Sequence, residues 1–197
     1  MILPNQLTVL RIILSPIFLY LFLSENELLQ QISLGVFLIA AFTDWYDGWL
    51  ARKYNFITAW GKFWDPLADK ILTATAFVGF VYLDVLPFWM VLLILLRDFI
   101  ITGFRGYTDY IGVDFITSWY GKVKTFFQMT FIYYLLVIYI LSKNPFLSKH
   151  YGDIFAVLLN PTFIFILMII VTFITVHSGI LYFTENKNAM KKLLKKK

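Results

Sequence analysis

Asp44-Trp45-Tyr46-Asp47-Gly48-Trp49-Leu50-Ala51-Arg52 and, nine residues further on, Gly61-Lys62-Phe63-Trp64-Asp65-Pro66-Leu67-Ala68-Asp69-Lys70 place four aspartates inside long apolar runs. A carboxylate at membrane depth is costly, so it needs a cation, a pairing partner or a proton, and by default it marks a functional site. At helical spacing Asp44, Asp47, Gly48 and Ala51 form one stripe, and Gly61, Asp65 and Asp69 recur at every fourth residue to form another. The short basic segment from Arg52 to Lys62 joins the two helices and turns them antiparallel. The two carboxylate faces can then meet.

Outward from this stretch, composition sets the solvent. Hydrophobic residues make up 60% of the 197 positions and the mean hydropathy is +0.75, above the apolar share of a soluble globular domain. A membrane-spanning helix needs about 20 largely apolar residues, and six such runs are predicted at 7–23, 29–51, 62–83, 86–104, 117–141 and 154–182. The expected fold is an all-α integral membrane protein, a six-transmembrane-helix bundle over 1–183, with a basic tail at 184–197 and no separate soluble domain. The N-terminus lacks both a basic stretch before its apolar run and a small-residue cleavage site after it, so it reads as retained.

The chain contains no cysteine, which excludes disulfides, zinc–thiolate sites and a thiol nucleophile. Its two histidines, His150 and His177, are far apart, and His177 reads as a packing residue among apolar neighbours. Aspartate is left as the main vehicle for acid–base or metal chemistry. The formal charge of +5 sits at the ends of apolar runs, which fits a membrane surface better than nucleic acid.

With the N-terminus placed in the cytoplasm, that side carries Arg11, Arg52, Lys53, Lys62, Arg105, Lys122, Lys124 and lysines 187, 191, 192, 195, 196 and 197. The opposite side holds only Lys143 and Lys149 among its basic residues. This asymmetry predicts both termini in the cytoplasm of a bacterial inner membrane, with the aspartates at the cytoplasmic end of the second and third helices. The tail from Lys187 to Lys197 reads as a solvated topology signal; an anionic-lipid contact of about 1 kcal/mol per lysine is the alternative.

Four converging carboxylates cannot all ionise unaided, since two like charges at about 4 Å repel by about 4 kcal/mol even at an effective dielectric near 20. Either some are protonated, as in a proton-coupled transporter, or cations hold them. Carboxylates are hard oxygen ligands that favour Mg2+, Mn2+ or Ca2+. Gly48, Ala51 and Gly61 lie on the same stripes and leave a groove against bare backbone, although small residues serve helix packing equally well. Arg52 lies just beyond, where its planar fork suits a phosphate. Taken together, these residues describe a site for a metal-bound diphosphate at the membrane surface.

The pattern D-x2-D-G-x2-A-R-x8-G-x3-D-x3-D is matched at every specified position from Asp44 to Asp69. It resembles the signature of the CDP-alcohol phosphotransferase family. The resemblance implies six transmembrane helices, a homodimer, two divalent cations (Mg2+ or Mn2+), and transfer of a substituted phosphate from a CDP-linked donor to an alcohol with release of CMP. By the same resemblance Asp44, Asp47, Asp65 and Asp69 share the metals, and Asp69 also accepts the proton of the attacking hydroxyl. Gly48, Ala51, Arg52 and Gly61, together with Asn5, line the nucleotide.

Acceptor choice must come from elsewhere. Arg97 and Arg105 interrupt the fourth run about two turns apart on nearly one face, and Gly121-Lys122-Val123-Lys124-Thr125 opens the fifth at the same level. They form a basic pocket suited to an acceptor that itself carries phosphate, with a buried Arg97–Asp98 or Arg97–Asp44 pair as the structural alternative. Near the N-terminus, Asn5 reads as a helix cap and Thr8 and Arg11, three apart, share one face. Asn5-x-Leu7-Thr8-x-x-Arg11, Arg97-acid with Thr102-Gly103-x-Arg105, Gly121-Lys122-x-Lys124-Thr125 and Ser178-Gly179-x-x-Tyr182-Phe183 resemble the bacterial phosphatidylglycerolphosphate synthase branch of the family.

That resemblance implies CDP-diacylglycerol and glycerol 3-phosphate as substrates drawn to the lipid bilayer surface, and Thr8, Arg11, Arg97, Arg105, Lys122 and Lys124 on the acceptor phosphate. The chain departs from the branch at Asp98, where glutamate is usual, and at Leu181, where an acid is frequent; both bear on the acceptor rather than on the chemistry. Rival readings are another acceptor within the family (serine, inositol phosphate or phosphatidylglycerol), a cation- or proton-coupled transporter, and a structural membrane protein.

Overall fold

Asparagine–proline pairs and short turns separate the helices of the described residues. The computed structural model describes residues 3–54, 59–110 and 119–187. Its helices are α1 (Leu3–Phe22), α2 (Glu27–Tyr54), α3 (Ala59–Tyr82), α4 (Phe88–Tyr110), α5 (Trp119–Lys143), α6 (Pro145–Leu158) and α7 (Pro161–Glu185), and the described residues contain no strand. Asn26 opens α2 by accepting the Leu28 N–H at 2.9 Å. Asp84, at φ 56°, turns the chain between α3 and α4. Asn144 caps α6 and Asn160 caps α7, each followed by a proline at the first helical position, where its missing N–H is no loss.

Two sequence expectations change. The apolar run at 154–182 is not one helix: it breaks at Asn160-Pro161, so a 14-residue α6 with a non-helical Tyr151 precedes the 25-residue α7. Proline has no N–H to continue a helix and crowds the preceding turn, and the residue before it is pushed out of helical geometry. Asn5 is likewise not a cap, because α1 already begins at Leu3. Pro4 sits comfortably in that first turn.

Among the described residues four helical stretches are long and apolar enough to cross a membrane: Asn5–Phe22, Glu27–Leu50, Trp119–Lys143 and Pro161–Glu185. α3 and α4 are as long, at 24 and 23 residues, but they carry the charged side chains of the site. Large apolar residues stay exposed along the long helices, for example Ile13, Ile39, Leu93, Phe126 and Phe173. A soluble chain would bury such a surface, whereas lipid solvates it. This is a membrane protein.

α1 packs mainly on α2 and α3, α4 on α3 and α7, and α5 on α6, α7, α2 and α3. The core is aromatic at one end. Phe22 meets the rings of Phe80 and Tyr139 edge-on at 5.1 and 5.8 Å, and Phe18 meets Phe37 at 5.0 Å. Gly79 makes room for this cluster, since a Cβ there would lie 2.8 Å from Phe22 Cδ1. Phe22 and Phe80 lie near the C-terminal ends of α1 and α3. The aspartates lie toward the N-terminal half of α3 and the C-terminal half of α2, so the bundle is greasy at one end and charged at the other.

Candidate active site

Asp44 projects from α2 and Asp65 and Asp69 from α3, and each is held differently. The buried Arg11 guanidinium of α1 pairs with Asp44 at 2.7 Å, while the Asp44 side chain remains 44% exposed. The buried Thr8 hydroxyl donates to Asp65 Oδ1. Lys70 Nζ lies 3.1 Å from Asp69 Oδ2. Thr8 and Arg11 thus occupy one face of α1, as their spacing predicted, and that face is turned onto the aspartates. Asp44 also lies within electrostatic reach of Asp65, Asp69 and Lys70. Three carboxylates from two helices therefore share one field.

Asp47, Ala51 and Arg52 ride on α2, but their side chains lie outside the described ones, as does that of Lys62. The described acids do not by themselves form a closed group of three metal ligands. The donor set nevertheless suits a hard divalent cation. The oxygens are carboxylates, and Asp44 and Asp69 remain open to solvent while Arg11 behind them is buried. Gly61 is buried at the start of α3 and Gly48 is half-buried on α2.

A second charged cluster is built from α4 and α5. Asp98, 2% exposed, accepts from the Lys124 ammonium and from Arg97 Nη1 (3.1 Å) on Oδ1, and from Gln128 Nε2 (3.2 Å) on Oδ2. Lys124 and Gln128 are four residues apart on α5, so one face of that helix supplies both donors. Arg97 lies across α7 at Gly179, where a Cβ would come within 3.1 Å of Arg97 Cγ. Lys70 senses both Asp69 and Asp98, linking this cluster to the first.

The expected basic pocket is therefore divided in the structure. Arg97 and Lys124 converge on Asp98, Arg105 and Lys122 are exposed, and Thr8 and Arg11 stand on the aspartates. The Arg97–Asp98 pair weighed from sequence is present; Asp44 takes Arg11 rather than Arg97. Gln128 and Lys70 escaped the sequence reading. The signal for Gln128 was a polar side chain interrupting an apolar run one helical turn after Lys124, and for Lys70 a cation directly after Asp69 in the motif. His177 is exposed, stacked on Phe173 at 6.1 Å and edge-on to Tyr120 at 5.7 Å. It packs on rings, as expected, but at the surface. Of the basic tail, residues 188–197 lie outside the described ones.

Asp44 of α2 and Asp65 and Asp69 of α3 thus present their carboxylates to one field, with the buried Arg11 behind Asp44. A family model described as CDP-alcohol phosphatidyltransferase matches residues 1–186. The chain belongs to this family. Among its relatives is a protein of Bacillus subtilis named CDP-diacylglycerol–glycerol-3-phosphate 3-phosphatidyltransferase, 36% identical over 201 residues, covering 96% of this chain and 97% of the relative. A protein of the same name from Rickettsia typhi is 35% identical over 185 residues, covering 94% and 97%. Another, from Salmonella paratyphi A, is 39% identical over 139 residues, covering 68% and 75%. In this CDP-alcohol phosphatidyltransferase both charged clusters fall within the matched region.

Proposed function

We propose that the protein transfers the phosphatidyl group of CDP-diacylglycerol to sn-glycerol 3-phosphate, giving phosphatidylglycerol phosphate and CMP. Family membership supports the donor, and the relatives' shared name supports the acceptor. The observation that carries the acceptor is the convergence of two basic side chains, Arg97 and Lys124, on Asp98, a cationic pair that a neutral alcohol would not need.

In this reading the glycerol 1-hydroxyl oxygen attacks the phosphorus bonded to diacylglycerol. The phosphoanhydride bond to the CMP phosphate breaks, and CMP leaves with the electron pair. Asp69 receives the hydroxyl proton, which requires it within hydrogen-bond reach of the acceptor oxygen. Asp44, Asp47, Asp65 and Asp69 would hold two divalent cations, Mg2+ or Mn2+, which when bound spread charge on the donor phosphates. Arg11 and Thr8 brace Asp44 and Asp65 and border the phosphate groups. Asn5, Gly48, Ala51, Arg52 and Gly61 line the cytidine monophosphate moiety, and Arg97, Arg105, Lys122 and Lys124 draw in the acceptor phosphate.

We further read α1, α2, α3, α4, α5 and α7 as six spans, with both termini and the site on the cytoplasmic side of a bacterial inner membrane and two copies forming a homodimer. The acyl chains then stay in the bilayer while headgroup and acceptor meet at its surface. Purified protein given CDP-diacylglycerol and each candidate alcohol tests the acceptor: CMP release with serine or inositol phosphate, but not glycerol 3-phosphate, would reassign it.

A further inference from the structure

We propose that Asp98 is a positioning residue of the acceptor half-site, holding the Lys124 ammonium and the Arg97 guanidinium at the spacing that grips the acceptor's phosphate. The inference rests on the acceptor reading above and adds a residue to it. Asp98 cannot act directly. It is 2% exposed, and both of its oxygens are occupied by protein donors.

A purely structural ion pair needs one cation. Here Lys124 and Arg97 both converge on Oδ1, and Gln128 steadies Oδ2. Two cations drawn to one oxygen repel each other, an arrangement that is relieved when a further anion arrives. Lys70, Arg97 and Lys124 all act on Asp98, so three basic side chains surround this one carboxylate.

The helices themselves would not keep this spacing. α4 packs on α3 and α7, and α5 on α2, α3, α6 and α7, so side chains, not close backbone packing, span from α4 to α5. Arg97 keeps donors for a ligand: Nη1 is spent on Asp98, while Nε is buried without a hydrogen-bond partner. Gly179 lets the Arg97 stem cross α7 to reach this place. Gln128 closes on the second oxygen of Asp98 and fixes the carboxylate's orientation.

The test uses the purified full chain in lipid nanodiscs with CDP-diacylglycerol and Mg2+ or Mn2+, comparing Asp98→Asn, Asp98→Glu and Gln128→Leu. Asp98→Asn is expected to raise the KM for glycerol 3-phosphate roughly ten- to a hundredfold, with kcat and the CDP-diacylglycerol KM changed by less than about threefold. Asp98→Glu restores the charge and should return the acceptor KM to within about threefold. Gln128→Leu keeps every charge and should raise the acceptor KM alone by about threefold or more; it decides the question if Asp98→Asn does not fold. An unchanged acceptor KM in a folded Asp98→Asn, or in Gln128→Leu where Asp98→Asn does not fold, overturns the proposal, as does an effect confined to kcat or to the donor. Wild-type protein that releases no CMP with glycerol 3-phosphate instead rejects the acceptor reading, so the two failures are distinguishable.

Discussion

Asp69 and Asp98 are both carboxylates in the charged half of the bundle, yet their surroundings differ, and so do the roles proposed for them. Asp69 is partly open, its side chain 22% exposed beside Lys70, so it can meet a substrate hydroxyl. Replacing it with asparagine keeps the shape and removes the base; CMP release should fall by at least about a hundredfold with little change in thermal stability. Asp98 is closed, and removing its charge leaves Lys124 buried without its counter-ion, a loss of about 3–5 kcal/mol on thermal unfolding in nanodiscs. Two glycines separate packing from function in the same way. Gly79→Ala pushes a Cβ against Phe22 in the aromatic core and should destabilise by about 1–3 kcal/mol while leaving the acceptor KM unchanged. Gly179→Ala meets the Arg97 stem at 3.1 Å instead, so the acceptor KM should rise while the donor KM holds.

At the scale of elements, the caps explain what could be read in advance and what could not. The helices α1 to α5 lie close to the predicted apolar runs, because a long run with turn residues at its ends leaves lipid-spanning chain few alternatives. The sixth run hid two helices. Asn160-Pro161 was a visible start signal, but apolar residues on both sides of it made one long span look continuous. Asn160→Ala removes the acceptor for the Thr162 and Phe163 N–H groups and should cost about 0.5–2 kcal/mol of stability without affecting CMP release. The site divides similarly. The stripes of Asp44, Asp65 and Asp69 follow from helical period, and so does the shared face of Thr8 and Arg11. What that face meets depends on how α1 docks on α2 and α3, which no local pattern encodes. The clasp of Asp98 by Lys124 and Gln128 joins residues 26 and 30 positions apart, and such pairing is set by tertiary packing alone.

At the scale of the whole molecule, charge is sorted by end. The aromatic core around Phe22, Phe80 and Tyr139 fills one half, and both charged clusters fill the other. In the topology proposed above, thirteen basic residues fall on the side of the termini against two opposite, and the site faces the cytoplasm. The absence of native cysteine makes this directly measurable. A membrane-impermeant maleimide should label Asn26→Cys and Lys149→Cys in intact cells, and Lys187→Cys only after permeabilisation; the opposite pattern would invert the topology. The central claim is that the Asp44–Asp69 face performs phosphatidyl transfer to a phosphorylated alcohol, and CMP release tests it most directly. Purified protein with CDP-diacylglycerol, glycerol 3-phosphate and Mg2+ or Mn2+ should release CMP in step with phosphatidylglycerol phosphate. The signal should vanish on chelation of the metal and in Asp69→Asn. CMP release that survives both, or none from the wild-type protein with glycerol 3-phosphate, would contradict it.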